Sequence, residues 1–216
     1  MNVEEVLVRG ASELGFQLTP QQVDLFHEYL KKIKSWNEKI NITRINDERE
    51  IVINHFLDSI TPLPFISENS KVLDIGSGGG FPGIPIKIVR PSLEVILLDS
   101  VQKKVFFMRD VIRSLPLKGI KAIRGRAEDI SNGIPRSYFD FVISRAVGKV
   151  DEILKLAKPY LKEGGKIILM KGKKGLEEWE VRKDASTRNF SLVNSKMFSL
   201  PFSRHHRVIL IIAPNL

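Results

Sequence analysis

Residues 71–83 read KVLDIGSGGGFPG. The short apolar run Val72–Leu73 ends in an acid, Asp74. Gly76, Gly78, Gly79 and Gly80 follow, interrupted only by Ser77. The apolar run suits a strand buried in a parallel sheet, and the glycines suit a tight turn whose backbone approaches a ligand. A second apolar run, EVILL at 94–98, ends in another acid, Asp99. Strand, glycine turn, helix, strand, acid is the order of a nucleotide-type cofactor pocket.

Outward from this stretch the same alternation continues. Strand-like runs fall at 71–75, 94–98, 120–124, 139–143 and 165–170, with helical patterns at 83–90, 102–115 and 150–161 between them. That alternation predicts an α/β fold, a parallel sheet with helices on both faces. Residues 161–165 read as a turn before the fifth strand, and a charged helix is expected over 173–186. Two further strands, 190–200 and 207–213, are joined by too short a connection for both to be parallel neighbours, so one runs antiparallel. The first 65 or so residues are helical in pattern. Thr19-Pro20 caps and starts a helix running to about Asn41, and Asp47 caps another that ends near Pro62–Pro64. The expected division is a helical extension, 1–66, and a Rossmann-like domain, 67–216.

The cofactor is narrowed by what surrounds the glycines. Phe81 and Pro82 stand where a dinucleotide fold wants a small residue for close helix–strand packing. Asp74 would repel a pyrophosphate but can help hold an amino group. S-adenosylmethionine offers an amino group and a sulfonium and carries no phosphate. Asp99 can accept hydrogen bonds from both ribose hydroxyls. The third strand leads into Gly125-Arg126-Ala127-Glu128-Asp129, where an acid or amide lies near an adenine. The fourth leads into Ser144-Arg145-Ala146-Val147, where a substrate would meet the methyl group.

Composition excludes several chemistries. The chain has 216 residues and no cysteine, which removes disulfides, Cys-ligated zinc and thiolate catalysis. His205 and His206 are too poorly accompanied to make a metal site. There is no apolar stretch of membrane-spanning length and no signal-peptide pattern at the N-terminus, so a cytoplasmic protein is expected. Against 25 Asp+Glu there are 34 Lys+Arg, a formal charge of +9. This excess favours an anionic partner, nucleic acid first.

GSGGGFPGIPIKI, LLDSVQKKVFF, GRAED, ISRAV and LMKG, with SWNEKINITRI and HFLDSI upstream, together resemble the RsmG (GidB) family of bacterial 16S rRNA methyltransferases. The resemblance covers roughly residues 25–175. It implies a class I S-adenosylmethionine-dependent methyltransferase fold, with a mostly parallel seven-stranded sheet containing one antiparallel strand. The implied reaction is methyl transfer to N7 of one guanine near the ribosomal decoding centre. By motif match, Gly76, Phe81, Ala127, Glu128 and Arg145 would contact the cofactor, joined by Asp99 as the ribose acid.

Guanine N7 carries a lone pair and no proton, so its methylation requires alignment rather than a general base. The residues agree with this. The acid-or-amide, Pro-Pro-aromatic run common in adenine amino-methylation is absent after the fourth strand, and C5 methylation of pyrimidines needs a cysteine, which leaves an unprotonated ring nitrogen or a ribose as the target. Arg145 is expected to pair with the cofactor carboxylate through its planar fork, the alternative being to hold a phosphate or the guanine edge. Lys171 and Lys173 follow the fifth strand as phosphate contacts, and Lys31, Lys32, Lys34 and Arg44 would extend that surface over the N-terminal helices toward 16S rRNA or the 30S subunit. His55 and Asp58 share a helical face, pairing with each other or ordering these helices over the site. A monomer with no metal is expected. A methyltransferase of another RNA or small molecule, and a non-catalytic RNA-binding module, stand as alternative readings.

Overall fold

The structure is a computed structural model that describes residues 1–129, 131–145, 148–181 and 188–215. Seven strands form one sheet: β1 (Lys71–Ile75), β2 (Glu94–Asp99), β3 (Ile120–Arg124), β4 (Phe139–Arg145), β5 (Leu161–Gly172), β6 (Phe190–Ser199) and β7 (His206–Pro214), in the order β3-β2-β1-β4-β5-β7-β6. The first five strands pair in parallel. β7 alone runs against its neighbours β5 and β6. The two late strands form the antiparallel pair expected from their short connection.

Strand periodicity sorts the side chains into two cores. Val72, Val95 and Leu97 face one layer, with Ile84 of α5 (Gly83–Val89) and Phe107 of α6 (Gln102–Ser114). Leu73, Ile75, Ile96 and Leu98 face the other, with Ile153 and Leu154 of α7 (Val150–Ala157). The central strands read as unbroken apolar runs because both faces are covered.

Two boundaries differ from the sequence expectation. Residues 161–165 are part of β5 rather than a turn before it. Leu161 pairs with Phe139, the register then shifts, and regular pairing resumes at Phe141–Lys166. Gly165 permits this irregularity, since a Cβ there would lie 2.9 Å from the carbonyl oxygens of Lys162 and Phe139. The charged helix is shorter than expected: α8 spans Gly175–Glu180, and positions 182–186 of the expected helix lie outside the described residues.

The N-terminal helices begin as their sequences dictate. Asn2 and Glu5 form a capping box on α1 (Val3–Glu13), and Thr19 and Gln22 form one on α2 (Pro20–Asn37), with Pro20 in its first turn. α2 stops short of Asn41 because the Asn37 carboxamide captures the chain that follows. Its Oδ1 accepts from Ile42 N at 2.8 Å and from Thr43 N at 3.2 Å. The single helix expected after Asp47 is three segments end to end: α3 (Glu48–Ile51), a π-helical stretch Val52–Leu57, and α4 (Asp58–Ile60). A short 3-10 turn, Leu63–Phe65, completes the passage to the sheet.

These helices share the first core with the sheet. Tyr29 stacks on Phe56 at 5.2 Å and on Phe81 at 5.5 Å between ring centres. The change of sequence pattern near residue 66 therefore separates two kinds of secondary structure around a common core. Among the described residues, no helix is long and apolar enough to cross a membrane.

Candidate active site at the carboxyl ends of the strands

The glycine turn leaves β1 under tight constraint. Gly76, Gly78 and Gly80 have φ of 74°, 58° and 90°, the left-handed region that L side chains avoid. A Cβ on Gly80 would also lie 2.4 Å from Ile84 Cδ1 and 2.9 Å from the Tyr29 hydroxyl. Tyr29 Oη donates to the Gly79 carbonyl, which ties α2 to the turn. Gly76 N and Ser77 N both donate to Leu98 O, at 2.8 and 3.1 Å.

Asp74 lies behind this turn, fully buried and outside both cavity walls described below. Its Oδ2 accepts from Gly83 N at 2.9 Å, bracing the start of α5. Its Oδ1 is buried with no hydrogen-bond partner among the described residues. Burial raises its pKa to about 7, against the pull of the Gly83 amide, Ser77 and Arg145. The sequence assigns Asp74 to an amino group. The fold makes it first of all a support for the loop.

Two cavities flank the turn and meet at Gly76. The smaller, 270 Å³, is walled by Ile75, Gly76, Asp99, Ala127, Glu128 and Leu156 among others. Asp99 Oδ2 accepts from Gly78 N and Oδ1 from Val101 N, each at 2.8 Å. The carboxylate is thereby oriented while keeping lone pairs for a diol. Ala127 is positioned by Tyr160, whose hydroxyl donates to Ala127 O at 2.8 Å while Asn132 Nδ2 donates to that hydroxyl at 2.6 Å. Glu128 is exposed, 3.6 Å from Arg126.

The larger cleft, 890 Å³, contains Gly78, Phe81, Arg145, His55 and Asp58 on its wall. Arg145 extends from the end of β4 onto the π-helical stretch. Its Nη1 donates to Asn54 O at 2.9 Å and to Asp58 Oδ2 at 3.2 Å, and its Nη2 to His55 Nδ1 at 3.1 Å. Asp58 Oδ1 meets Arg207 Nε at 3.2 Å. One carboxylate thus sits between two guanidinium groups, leaving the cluster one positive charge in excess. His55 and Asp58 do not pair with each other; they meet through Arg145.

The guanidinium has only donors, so His55 Nδ1 accepts and its proton resides on Nε2, which donates to Thr43 Oγ1 at 2.7 Å. Burial, reinforced by the adjacent Arg145, drives the His55 pKa down to about 3. Its neutral ring stacks on Phe81 at 4.5 Å with 16° between planes.

The structure brings Gly76, Gly78, Phe81, Asp99, Ala127, Glu128 and Arg145 onto the walls of two connected cavities, with Asp74 behind them. Ala146 and Val147 lie outside the described residues. The proposed RNA-binding lysines are spread wider. Lys31 pairs with Glu28 and Lys34 with Glu48; Lys32 meets Asp110, which also accepts from Trp36. Lys171 is on the cleft wall but held by Glu178 at 2.9 Å and Gly148 O at 2.8 Å. Arg44 and Lys173 are exposed. Sequence reading does not single out Tyr29, Thr43, Tyr160 or Arg207. A buried tyrosine in an amphipathic helix carries no local mark of the carbonyl it will meet, and Arg207 is one of many basic residues.

The donor set fits S-adenosylmethionine. A carboxylate facing the smaller cavity suits ribose hydroxyls, a glycine turn without side chains joins the cavities, and a net cationic cluster in the larger one suits an amino-acid carboxylate. A profile of the family described as rRNA small subunit methyltransferase G (GidB) matches residues 22–206. Relatives from Acetivibrio thermocellus and Thermoanaerobacter sp. X514, both named ribosomal RNA small subunit methyltransferase G, are 38% and 40% identical over 98% and 95% of this chain and 88% of each relative. The chain belongs to this family.

As a member of the methyltransferase G family it is an S-adenosylmethionine-dependent methyltransferase. Solved structures agree at the level of fold. A SAM-dependent methyltransferase from Aquifex aeolicus superposes with a TM-score of 0.59 at 18% identity, covering 85% of this chain and 97% of that one. M. jannaschii TYW2 in complex with AdoMet gives 0.56 at 19%, covering 74% and 76%.

Proposed function

We propose that this methyltransferase acts on 16S rRNA, transferring the methyl group to N7 of a guanine near the decoding centre of the 30S subunit or of an assembly intermediate. Family membership supports small-subunit rRNA as the substrate class. The observation that best supports the choice of nucleophile is the state of His55, the imidazole packed on Phe81. This imidazole faces the cleft beside Phe81, yet both its nitrogens are engaged and its pKa lies near 3. It is a poor acceptor for a substrate proton at neutral pH. An exocyclic amine or hydroxyl must lose a proton on methylation, whereas guanine N7 has none to lose.

The chain's contribution is then placement. Bound S-adenosylmethionine supplies an electrophilic methyl on sulfur. Asp99 would hold its ribose hydroxyls, Ala127 and Glu128 would border its adenine, and Arg145 with Arg207 would hold its carboxylate. Phe81, clamped between Tyr29 and His55, gives the cleft a rigid apolar wall that keeps water from the transfer path. Such positioning is worth on the order of 7–11 kcal/mol in favourable cases. The protein acts as a monomer in the cytoplasm in this reading.

The test is methyl transfer to 30S particles from cells lacking this protein, followed by mapping of N7-methylguanine in the extracted 16S rRNA. A single methylated guanine N7 supports the proposal. Methyl incorporated at an exocyclic nitrogen, a carbon or a ribose would overturn it.

A further inference from the structure

Four permanent cations line the larger cleft: Lys104, Arg145, Lys171 and Arg207. Three of them are matched within the protein, Arg145 and Arg207 by Asp58 and Lys171 by Glu178. The Lys104 ammonium has no carboxylate, carbonyl or ring partner among the described residues. It is half-buried in the first turns of α6, and its ammonium stands over the glycine turn. A Cβ on Gly78 would lie 3.9 Å from Lys104 Nζ. An ammonium held against bare backbone, with its three donors uncommitted, gains most from an anion arriving with a ligand.

We propose that Lys104 binds a backbone phosphate of the rRNA at the target nucleotide, and so sets the depth at which the base enters the cleft. The proposal rests on the rRNA methyltransferase reading above and adds a positioning residue to it. Two anions could reach this ammonium, the amino-acid carboxylate of the methyl donor and a phosphate of the substrate. The geometry favours the phosphate. The carboxylate is already served by Arg145 and Arg207, whose excess positive charge lies in the same cleft, with the Arg145 guanidinium 5.0 Å from the Phe81 ring centre. The same cleft wall includes Ile42, Thr43 and Ile45, whose loop carries the exposed Arg44. Lys103, next in the chain, is exposed as well. A cation flanked by exposed cations suits a continuing chain of phosphates rather than a single small anion.

The experiment uses the full chain and undermethylated 30S particles, with Lys104→Met and Lys104→Arg. The Met variant keeps the aliphatic stem and removes the charge. Methyl-transfer kinetics are measured over a range of salt, and S-adenosylhomocysteine affinity is measured by calorimetry. Loss of one charge-assisted phosphate contact should raise KM for the particle about tenfold at low salt. It should also lower the slope of log KM against log salt by about one. Affinity for S-adenosylhomocysteine stays at the wild-type level, and Lys104→Arg restores most of the KM and the slope. An unchanged salt slope would overturn the proposal. So would a fall in S-adenosylhomocysteine affinity, which would give the ammonium to the donor's carboxylate instead. Failure of the parent reading looks different, since the wild-type protein would then leave small-subunit rRNA unmethylated.

Discussion

Replacing Asp74 with asparagine should change how the protein's stability depends on pH, with a sign fixed by burial. In the native state the carboxyl keeps its proton up to about pH 7, against an ordinary value of 3.8. Between those values the folded chain holds a proton that the unfolded chain has released, so Asp74 lowers stability as pH rises. The carboxamide that replaces it holds no titrating proton, and its oxygen can still accept from Gly83 N. The stability of Asp74→Asn relative to wild type should therefore increase from pH 4.5 to 7 by about 1.4 kcal/mol per pH unit, then level off. Over the whole window the difference amounts to roughly 3–4 kcal/mol. Urea unfolding of both proteins at intervals from pH 4.5 to 8 measures it, and groups common to the two cancel. The wild-type profile alone is less informative, because His55 opposes Asp74. Its pKa of about 3 makes the unfolded state the greater proton binder from there to about pH 6.5, so His55 adds stability as pH rises. A stability difference between variant and wild type that stays flat from pH 4.5 to 7 would refute the reasoning, since Asp74 would then be ionised throughout.

Asp99→Ala removes both the proposed ribose acceptor and the acceptor for Gly78 N and Val101 N. Calorimetry should show S-adenosylhomocysteine binding weakened at least tenfold, and wild-type affinity would exclude the carboxylate from the cofactor site. Tyr29→Phe leaves the buried Gly79 carbonyl without its hydroxyl donor while preserving the aromatic stack. The expected loss is about 1–2 kcal/mol of stability by urea unfolding, with a lower kcat from a looser glycine turn. Unchanged values of both would deny the hydroxyl any part in holding the turn.

The fold is largely legible in the sequence because its signals are local. Central strands covered on both faces have to be apolar without alternation, and the glycine turn needs residues that tolerate positive φ. Thr19-Pro20 marks a helix start for equally local reasons. Boundaries set by remote partners are not legible. Residues 161–165 contain two glycines and a charged pair, which read as a turn, yet Phe139 on the neighbouring strand draws Leu161 into the ladder. α2 looks continuous to Asn41 until Asn37 folds its carboxamide over the following amides.

The site divides along the same line. Gly76, Gly78, Phe81 and Asp99 announce themselves by position at strand ends. Arg145 does so too, but its partners Asn54, His55 and Asp58 are brought to it across the fold, at sequence separations no spacing rule addresses, and Arg207 joins them through Asp58. The phosphate-contact expectation rests on charge alone for Lys31, Lys32 and Lys34, and on charge with position after the fifth strand for Lys171. Charge does not reveal that each of these ammonium groups has an acidic neighbour in the folded chain.

The π-helical stretch at 52–57 has one further consequence. A wide turn takes in an additional residue compared with an α-helical one, and the carbonyl of Asn54 and the side chains of His55 and Asp58 all reach Arg145 from this short widened stretch and its end. Deleting one residue there would let the stretch close to ordinary α-helical winding, which keeps the flanking turns nearly in phase but removes the widened turn itself. The Asn54 carbonyl and the His55 ring would then lose the positions from which they hold Arg145, with the flanking helix intact. The grip on this arginine therefore depends on the pitch of the helix as well as on its composition.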